Sequence, residues 1–294
     1  MAEYPAVDLQ FLDSPGPDPH LRERVYAVLD DFEPSAIHED ESGDRWRVFF
    51  RTAALRDAAA AHLATAVSDR LLTTSALDVP DEDWARRSQE NLHAIEVGRL
   101  IVAPPWDVPG QARRSPAVRL QPDVPVIVIE PSTGFGTGHH ATTRLCLRLL
   151  QGLDLRNARV IDIGTGSGVL ALAAWKLGAA DVVAVDNDPD ALDNARANCA
   201  RNGAGGAIEI ICDDLGELRL AAADVLLANL TAAALVRHAS SLASLARPDG
   251  SLILSGFAWD HLEVDIRPAF PDFDVTEESS EDGWTAALLA RAVR

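Results

Sequence analysis

Hydrophobic and polar positions fall into two regimes along this chain. Over residues 1–80, short alternating runs and one-sided helical runs follow in the order β-α-β-β-α-β. Ala6–Asp13 alternates through Val7, Leu9 and Phe11 and predicts a strand, while Pro19–Phe32 places Leu21, Val25, Val28 and Leu29 on one helical face. Ala36–Glu39 and Arg45–Arg51 predict a hairpin across Glu41-Ser-Gly-Asp44, followed by an alanine-rich helix over Thr52–Val67 and a closing strand over Leu71–Val79. That order predicts a small α+β domain of ferredoxin-like layout. Asp81–Ile95 is polar, with Trp84 and Leu92 as its few anchors, and predicts a linker helix over residues 81–95. Beyond it, Arg99–Ala103 and Val124–Glu130 are strand-like and flank the turn-rich Pro104-Pro-Trp-Asp-Val-Pro-Gly110.

From Val160 onward strands alternate with helices, the signal for a parallel sheet. The strands are Val160–Ile163, Asp181–Val185, Ile208–Cys212, Asp224–Ala228 and Ser251–Ser255. Gly178 stops a helix over Val169–Leu177, and Asp188-Pro189 opens another that Gly203 closes, with aspartate as N-cap and proline in the first turn. Phe273–Glu278 and Thr285–Ala290 flank Asp282-Gly283 and predict a hairpin. Five parallel strands and a hairpin form the α/β, Rossmann-like layout of seven-stranded class I methyltransferases, here spanning residues 96–294.

Composition narrows the class. With 47% apolar residues the chain can fill a real core, and Lys176 and Asp181 interrupt its longest greasy stretch, so no membrane span is expected. The start of the chain has neither the basic nor the apolar region of a signal peptide. Cys146, Cys199 and Cys212 are widely spaced in apolar settings and read as reduced core thiols of a cytoplasmic protein. Net charge is −19, with 15 acidic and 7 basic groups in residues 1–80 alone. Such a surface repels phosphate backbones and attracts basic proteins, although acidity also serves solubility by itself. Within Arg45-Trp-Arg-Val-Phe-Phe-Arg51, Trp46 and Phe50 share a face, as on the aromatic strand of an RNA-recognition domain. The acidity of the segment and the missing glycine favour a core-facing Trp46/Val48/Phe50 stripe instead.

Candidate chemistry lies in two glycine-rich stretches, Phe135-Gly-Thr-Gly-His-His-Ala-Thr-Thr143 and Val160-Ile-Asp-Ile-Gly-Thr-Gly-Ser-Gly168. The second runs from a strand into a turn where Gly164, Gly166 and Gly168 let a ligand lie against backbone. Gly166-Ser-Gly168-Val-Leu-Ala171 also matches a dinucleotide fingerprint. Asp162, inside the strand end, suits a cationic ammonium and would repel a pyrophosphate, which favours S-adenosylmethionine. Asp186, beside Asn187, ends the next strand and can accept from ribose hydroxyls. Asp213 or Asp214 ends the third and can accept from an adenine amino group.

Glu130-Pro-Ser-Thr-Gly-Phe-Gly-Thr-Gly-His-His-Ala-Thr-Thr143, the D-x-G-x-G-x-G stretch and Ala228-Asn-Leu230 closely resemble the PrmA family over nearly the whole chain. That resemblance implies an S-adenosylmethionine-dependent enzyme that methylates large-subunit ribosomal protein eleven on lysine and N-terminal amines. It also implies that Phe135, Thr137, Gly138, His140, Thr142 and Thr143 belong to a loop folding over the methionine end of the cofactor. His139 occupies a position that varies in the family. The acidic surface makes the free ribosomal protein the expected partner, since assembled ribosomes present RNA. The alternative acceptor is another protein or a small-molecule amine.

Asn229 follows the fourth strand, where the transferred methyl should lie, and is expected to hold the nucleophilic nitrogen. Relatives acting on planar amides and nucleobases carry [ND]-P-P-[YF] there. Asn229-Leu-Thr-Ala232 has no prolines and no aromatic platform, which favours a flexible alkyl amine. His140 is a candidate proton relay, with orientation and packing as the competing role. No metal site is expected, because no ligand set follows the His139-His140 pair at usable spacing.

Overall fold

A computed structural model describes residues 3–12, 19–32, 34–40, 43–67, 71–80, 92–108, 124–131 and 138–292. They divide into two compact units, one drawn from residues 1–91 and the other from 92–294.

In the first unit the elements are β1 (Glu3–Phe11), α1 (Pro19–Asp30), β2 (Ala36–Glu39), β3 (Arg45–Phe49), α2 (Ala53–Ala66) and β4 (Leu72–Pro80). The strands pair antiparallel in the order β2-β3-β1-β4, the ferredoxin-like arrangement. β1 starts at Glu3 rather than Ala6 because β4 runs on to Pro80 and pairs with it there. Thr52 caps α2, its hydroxyl accepting from the Leu55 N–H at 3.2 Å. Val7 faces Val48 and Leu9 faces Trp46 across the pleat, and both pairs are buried with Leu21, Val25 and Leu63. Trp46, Val48 and Phe50 thus form a core stripe and offer no exposed platform for a base.

The second unit opens with a three-stranded sheet, β5 (Ile95–Val97), β6 (Leu100–Ala103) and β7 (Val126–Val128), in that order. Of the expected linker helix, residues 81–91 lie outside the described residues, and its last part is corrected. Leu92–Ala94 carry no helix and Ile95 opens β5, because Gly98 (φ 60°) turns the chain into an antiparallel pairing with β6. Leu92–Ala94 are held from the turn at Pro105–Asp107. The Trp106 indole N–H donates to the Leu92 carbonyl (3.1 Å), and buried Asp107 accepts from the Ala94 N–H (2.7 Å).

Next come α3 (Ala141–Leu150), β8 (Arg159–Ile163), α4 (Val169–Lys176), β9 (Asp181–Asp186), α5 (Pro189–Arg201), β10 (Ile208–Cys212) and β11 (Ala223–Asn229). The chain continues through α6 (Ala232–Arg237), α7 (Ala239–Ser244), β12 (Ala246–Ala258), β13 (Phe273–Glu281) and β14 (Trp284–Arg291). Seven strands form one sheet in the order β10-β9-β8-β11-β12-β14-β13, parallel through β12 and closed by the antiparallel hairpin. Asp282 (φ 52°) and Gly283 (φ 80°) both take the left-handed conformation that a tight hairpin turn requires. Three sequence expectations need adjusting. Asn229 is the last residue of β11 rather than the one after it, and β12 is far longer than Ser251–Ser255 because its far end pairs with Trp284 and Thr285. Cys146 and Cys199 are buried, but Cys212 is exposed at the end of the edge strand β10. Among the described residues no helix is long and apolar enough to cross a membrane.

Candidate cofactor and acceptor site

The order of the parallel strands reverses between β8 and β11, and ligands of open α/β sheets lie outside the carboxyl ends at such a point. In register, Asp162 faces Leu227 and Ile163 faces Ala228, so the turn after β8 emerges beside Asn229 and Leu230. Gly164 (φ 67°) shows how close they are: a Cβ there would lie 2.4 Å from Leu230 Cδ2. Gly166 (φ 53°) and Gly168 (φ 83°) repeat the left-handed conformation, which turns the backbone sharply into α4.

Asp162 is fully buried. Its Oδ2 accepts from the Thr165 hydroxyl (2.6 Å) and the Ala171 N–H (3.1 Å), whereas Oδ1 has no partner. Burial raises this carboxyl to about 7, and the nearby Asp186 charge adds to the effect. Asp186 accepts from the Gly166 N–H (2.9 Å) through Oδ2 and from the Asp188 N–H (3.0 Å) through Oδ1. One bond on each oxygen leaves capacity for a further donor. Asn187 is exposed beside it. At the end of β10, Asp213 Oδ1 accepts from the Asp214 N–H, and Asp214 Oδ1 closes its own turn on Gly216. Asp213 is the half-buried member of this pair.

Of the first glycine stretch, Phe135 and Thr137 lie outside the described residues. Gly138 (φ 88°) is buried so tightly that a Cβ would meet Val102 Cγ1 at 2.7 Å. His140 is the N-cap of α3: its Nδ1 receives the Thr142 N–H (3.4 Å) and lies 2.8 Å from the Thr142 hydroxyl. An N–H can only donate, so Nδ1 is the acceptor and the ring proton sits on Nε2. Burial, then the Arg144 charge, pushes this imidazole down to about 4. A neutral, weakly basic ring engaged in capping fits the orienting role, and the relay role is set aside. Thr142 and Thr143 are buried behind it, and the Thr143 hydroxyl has no partner.

Several supporting side chains escaped sequence reasoning. Thr165 orients Asp162, and its place inside the D-x-G-x-G-x-G turn was the available signal. Arg144 binds Glu281 (2.8 Å), Asp282 (3.1 Å) and the His139 carbonyl, tying the start of α3 to the β13–β14 turn. His139, set aside as variable, contacts the His93 carbonyl through Nε2 at 2.8 Å. No local pattern announces pairs so distant in sequence. Gly256 (φ 97°) gives the Leu230 carbonyl room, since a Cβ would lie 2.1 Å from that oxygen. Gly256→Ala is therefore expected to cost at least about 2 kcal/mol in urea unfolding. At Gly203 (φ 75°), where a Cβ would meet nothing, alanine should cost only about 1 kcal/mol.

Comparison with known proteins agrees with this geometry. The sequence model of the family described as "Ribosomal protein L11 methyltransferase (PrmA)" matches residues 23–292. The chain belongs to the ribosomal protein L11 methyltransferase family. A relative of that name from Alteromonas mediterranea is 39% identical over 211 residues, covering 71% of this chain and 67% of its own. Another, from Pseudomonas savastanoi pv. phaseolicola, is 38% identical over 230 residues, covering 77% and 74%. A crystal structure of ribosomal protein L11 methylase from Lactobacillus delbrueckii subsp. bulgaricus superposes with a TM-score of 0.59 at 29% identity. It covers 68% of this chain and 98% of that one. The L11 methyltransferase family is S-adenosylmethionine-dependent, so the cofactor inferred from Asp162 and the alternating glycines stands and the dinucleotide alternative falls. Among the described residues no three His, Cys, Asp or Glu side chains are grouped to hold a metal.

Proposed function

We propose that this chain transfers methyl groups from S-adenosylmethionine to lysine and N-terminal amines of free ribosomal protein L11, and that it does so in the cytoplasm. One observation carries the residue roles. Thr143 Oγ1, Asp162 Oδ1 and Asn229 Oδ1 are buried oxygens without partners in the ligand-free chain. Each such atom costs about 1–3 kcal/mol, which a ligand of matching chemistry recovers. Asp162 Oδ1 would accept from the cofactor's ammonium. The Thr143 hydroxyl, at the positive end of the α3 dipole, would donate to its carboxylate, with Phe135, Thr137 and Gly138 completing that wall. Asp186 and Asn187 would take the ribose and Asp213 the adenine amino group.

When bound, the cofactor supplies an electrophilic methyl whose displacement moves positive charge from sulfur to nitrogen, so positioning dominates the rate. Asn229 Oδ1 would accept an N–H of the incoming amine and aim its lone pair. That amine must arrive neutral, which costs a lysine of reference pKa about 10.4 roughly 4.6 kcal/mol at pH 7. The apolar Leu230 side chain against Gly164 lowers this cost by favouring the uncharged form. Solvent, rather than His140, takes the proton. The N-terminal unit would dock the protein substrate, with the linker letting it present several amines.

The preference for free L11 follows from the net charge of −19. Purified L11 and assembled large subunits, offered at equal concentration, should differ in initial methylation rate by at least tenfold in favour of the free protein. Equal rates, or faster methylation of the subunit, would overturn that preference.

A further inference from the structure

Asn198 is a fully buried polar residue near the end of α5, among Cys199, Ala204 and other apolar side chains. Its amide is spent on two backbone segments far apart in sequence. Oδ1 accepts from the Glu130 N–H at 2.9 Å, and Nδ2 donates to the Ser167 carbonyl at 3.0 Å. Four residues on, Asn202 Oδ1 accepts from the Val128 N–H (2.9 Å) and Nδ2 donates to the Val128 carbonyl (2.7 Å). Between them Arg201 reaches the Glu130 carboxylate. The spacing explains the match: residues four apart on a helix rise about 6.0 Å. Alternate residues of a strand rise about 6.6 Å. Two asparagines one turn apart therefore present themselves to the outer edge of β7 as a neighbouring strand would, and satisfy groups that β6 leaves unpaired.

Beyond bonds to Asn198 itself (Arg201 to its Oδ1 at 3.2 Å, Asn202 Nδ2 to its carbonyl at 2.9 Å), Arg201 and Asn202 bond to the β7 side. Asn198 alone also reaches the second glycine stretch, through Ser167. Glu130 begins the segment resembling the cofactor loop, and Ser167 lies inside the turn that follows Asp162. We propose that Asn198 is a positioning residue that fixes the backbone at Glu130 against the turn at Ser167, and with it the ligand-facing backbone of that turn. This rests on reading those stretches as the two walls of an S-adenosylmethionine site. Its bonds to Glu130 and Ser167 are both to backbone groups, so its effect on those segments passes through the main chain.

The test compares Asn198→Ala, Asn198→Asp and Asn202→Ala in the full chain. The readouts are calorimetric titration with S-adenosylhomocysteine, thermal unfolding without ligand, and steady-state kinetics on L11. At pH 9, where a buried carboxyl is ionised, Asn198→Asp keeps the acceptor for Glu130 and loses the donor to Ser167, so it separates the bridge from strand anchorage if the alanine variant fails to fold. Both Asn198 variants should weaken S-adenosylhomocysteine binding at least tenfold and raise the S-adenosylmethionine KM in parallel, with kcat within threefold. Asn202→Ala should lower the unfolding temperature while leaving affinity within threefold. Equal loss of affinity in Asn202→Ala, or unchanged affinity in folded Asn198→Asp, would overturn the bridge. Failure of the unaltered chain to bind the ligand would overturn the cofactor site itself instead.

Discussion

Asp162→Asn is expected to weaken S-adenosylmethionine binding by about 100-fold or more, the scale of losing one partner of a buried ion pair, about 3–5 kcal/mol. The substituted amide can still accept from Ala171, but it would turn a donor toward the cation where Oδ1 now stands unpartnered. The same change should not damage the ligand-free fold. Burial holds the Asp162 carboxyl at about 7, so the folded chain keeps a proton there that the unfolded chain releases near about pH 4. A carboxyl raised in this way favours folding at low pH, and its contribution is lost as pH rises from about 4 to about 7. Above that window a buried charge opposes folding until a cation compensates it. Thermal unfolding at pH 8 should therefore show the ligand-free Asn variant at least as stable as the native chain, with the stabilisation by S-adenosylhomocysteine gone. In the native chain affinity should tighten as pH rises toward and past 7, and the Asn variant should lose that dependence. A variant that unfolds at lower temperature yet binds normally would mean that Asp162 serves the fold and not the ligand.

Asn229→Ala is expected to lower kcat on L11 by about 100-fold, the effect of a nucleophile left unaimed. The Kd for S-adenosylhomocysteine should change by no more than about tenfold, the worth of one neutral hydrogen bond. That split separates a residue that aims the acceptor from one that holds the cofactor. Asn229 is the last residue of β11, and Leu230 is anchored by its N–H to the Ser255 carbonyl at 3.0 Å, so truncating the side chain should leave the strand end in place. Stopped-flow binding and steady-state kinetics on one preparation would measure both quantities. Loss of affinity equal to the loss of kcat would place Asn229 with the cofactor alone.

Much of the architecture was legible because it rests on short-range pattern. Val160–Ile163, broken only by Asp162, and Val182–Val185 are near-continuous apolar runs, as strands covered on both faces must be. Asp188-Pro189 and Asp282-Gly283 carry their local conformations in their residue types. The buried Trp46/Val48/Phe50 stripe followed from alternation and charge together. What stayed hidden depends on partners distant in sequence. Ile95–Val97 is too short to declare itself, and becomes a strand only because Leu100–Ala103 folds back on it. β12 extends to Ala258 only because β14 is there to pair with it. The left-handed glycines and the strand-end aspartates were legible in place, since such turns and strand ends have few residue choices. Nothing in the local pattern singles out Asn198, because its bonds to Glu130 and Ser167 exist only after three segments have come together. His140 was legible in place, and the cap it makes on Thr142, a bond between residues two apart, favours orientation over relay.

If Asn229, without a neighbouring proline-aromatic platform, presents an alkyl amine of L11 to the cofactor held at Asp162, the product must be an alkylamine methyl. Purified L11 incubated with this chain and S-adenosylmethionine, then digested and fragmented by mass spectrometry, tests it most directly. Methyl groups are expected on lysine side-chain nitrogens or on the N-terminal amine, appearing about 100-fold more slowly with Asn229→Ala. Methylation confined to a glutamine amide, or an unmodified L11 alongside methylation of a small-molecule amine, would contradict it.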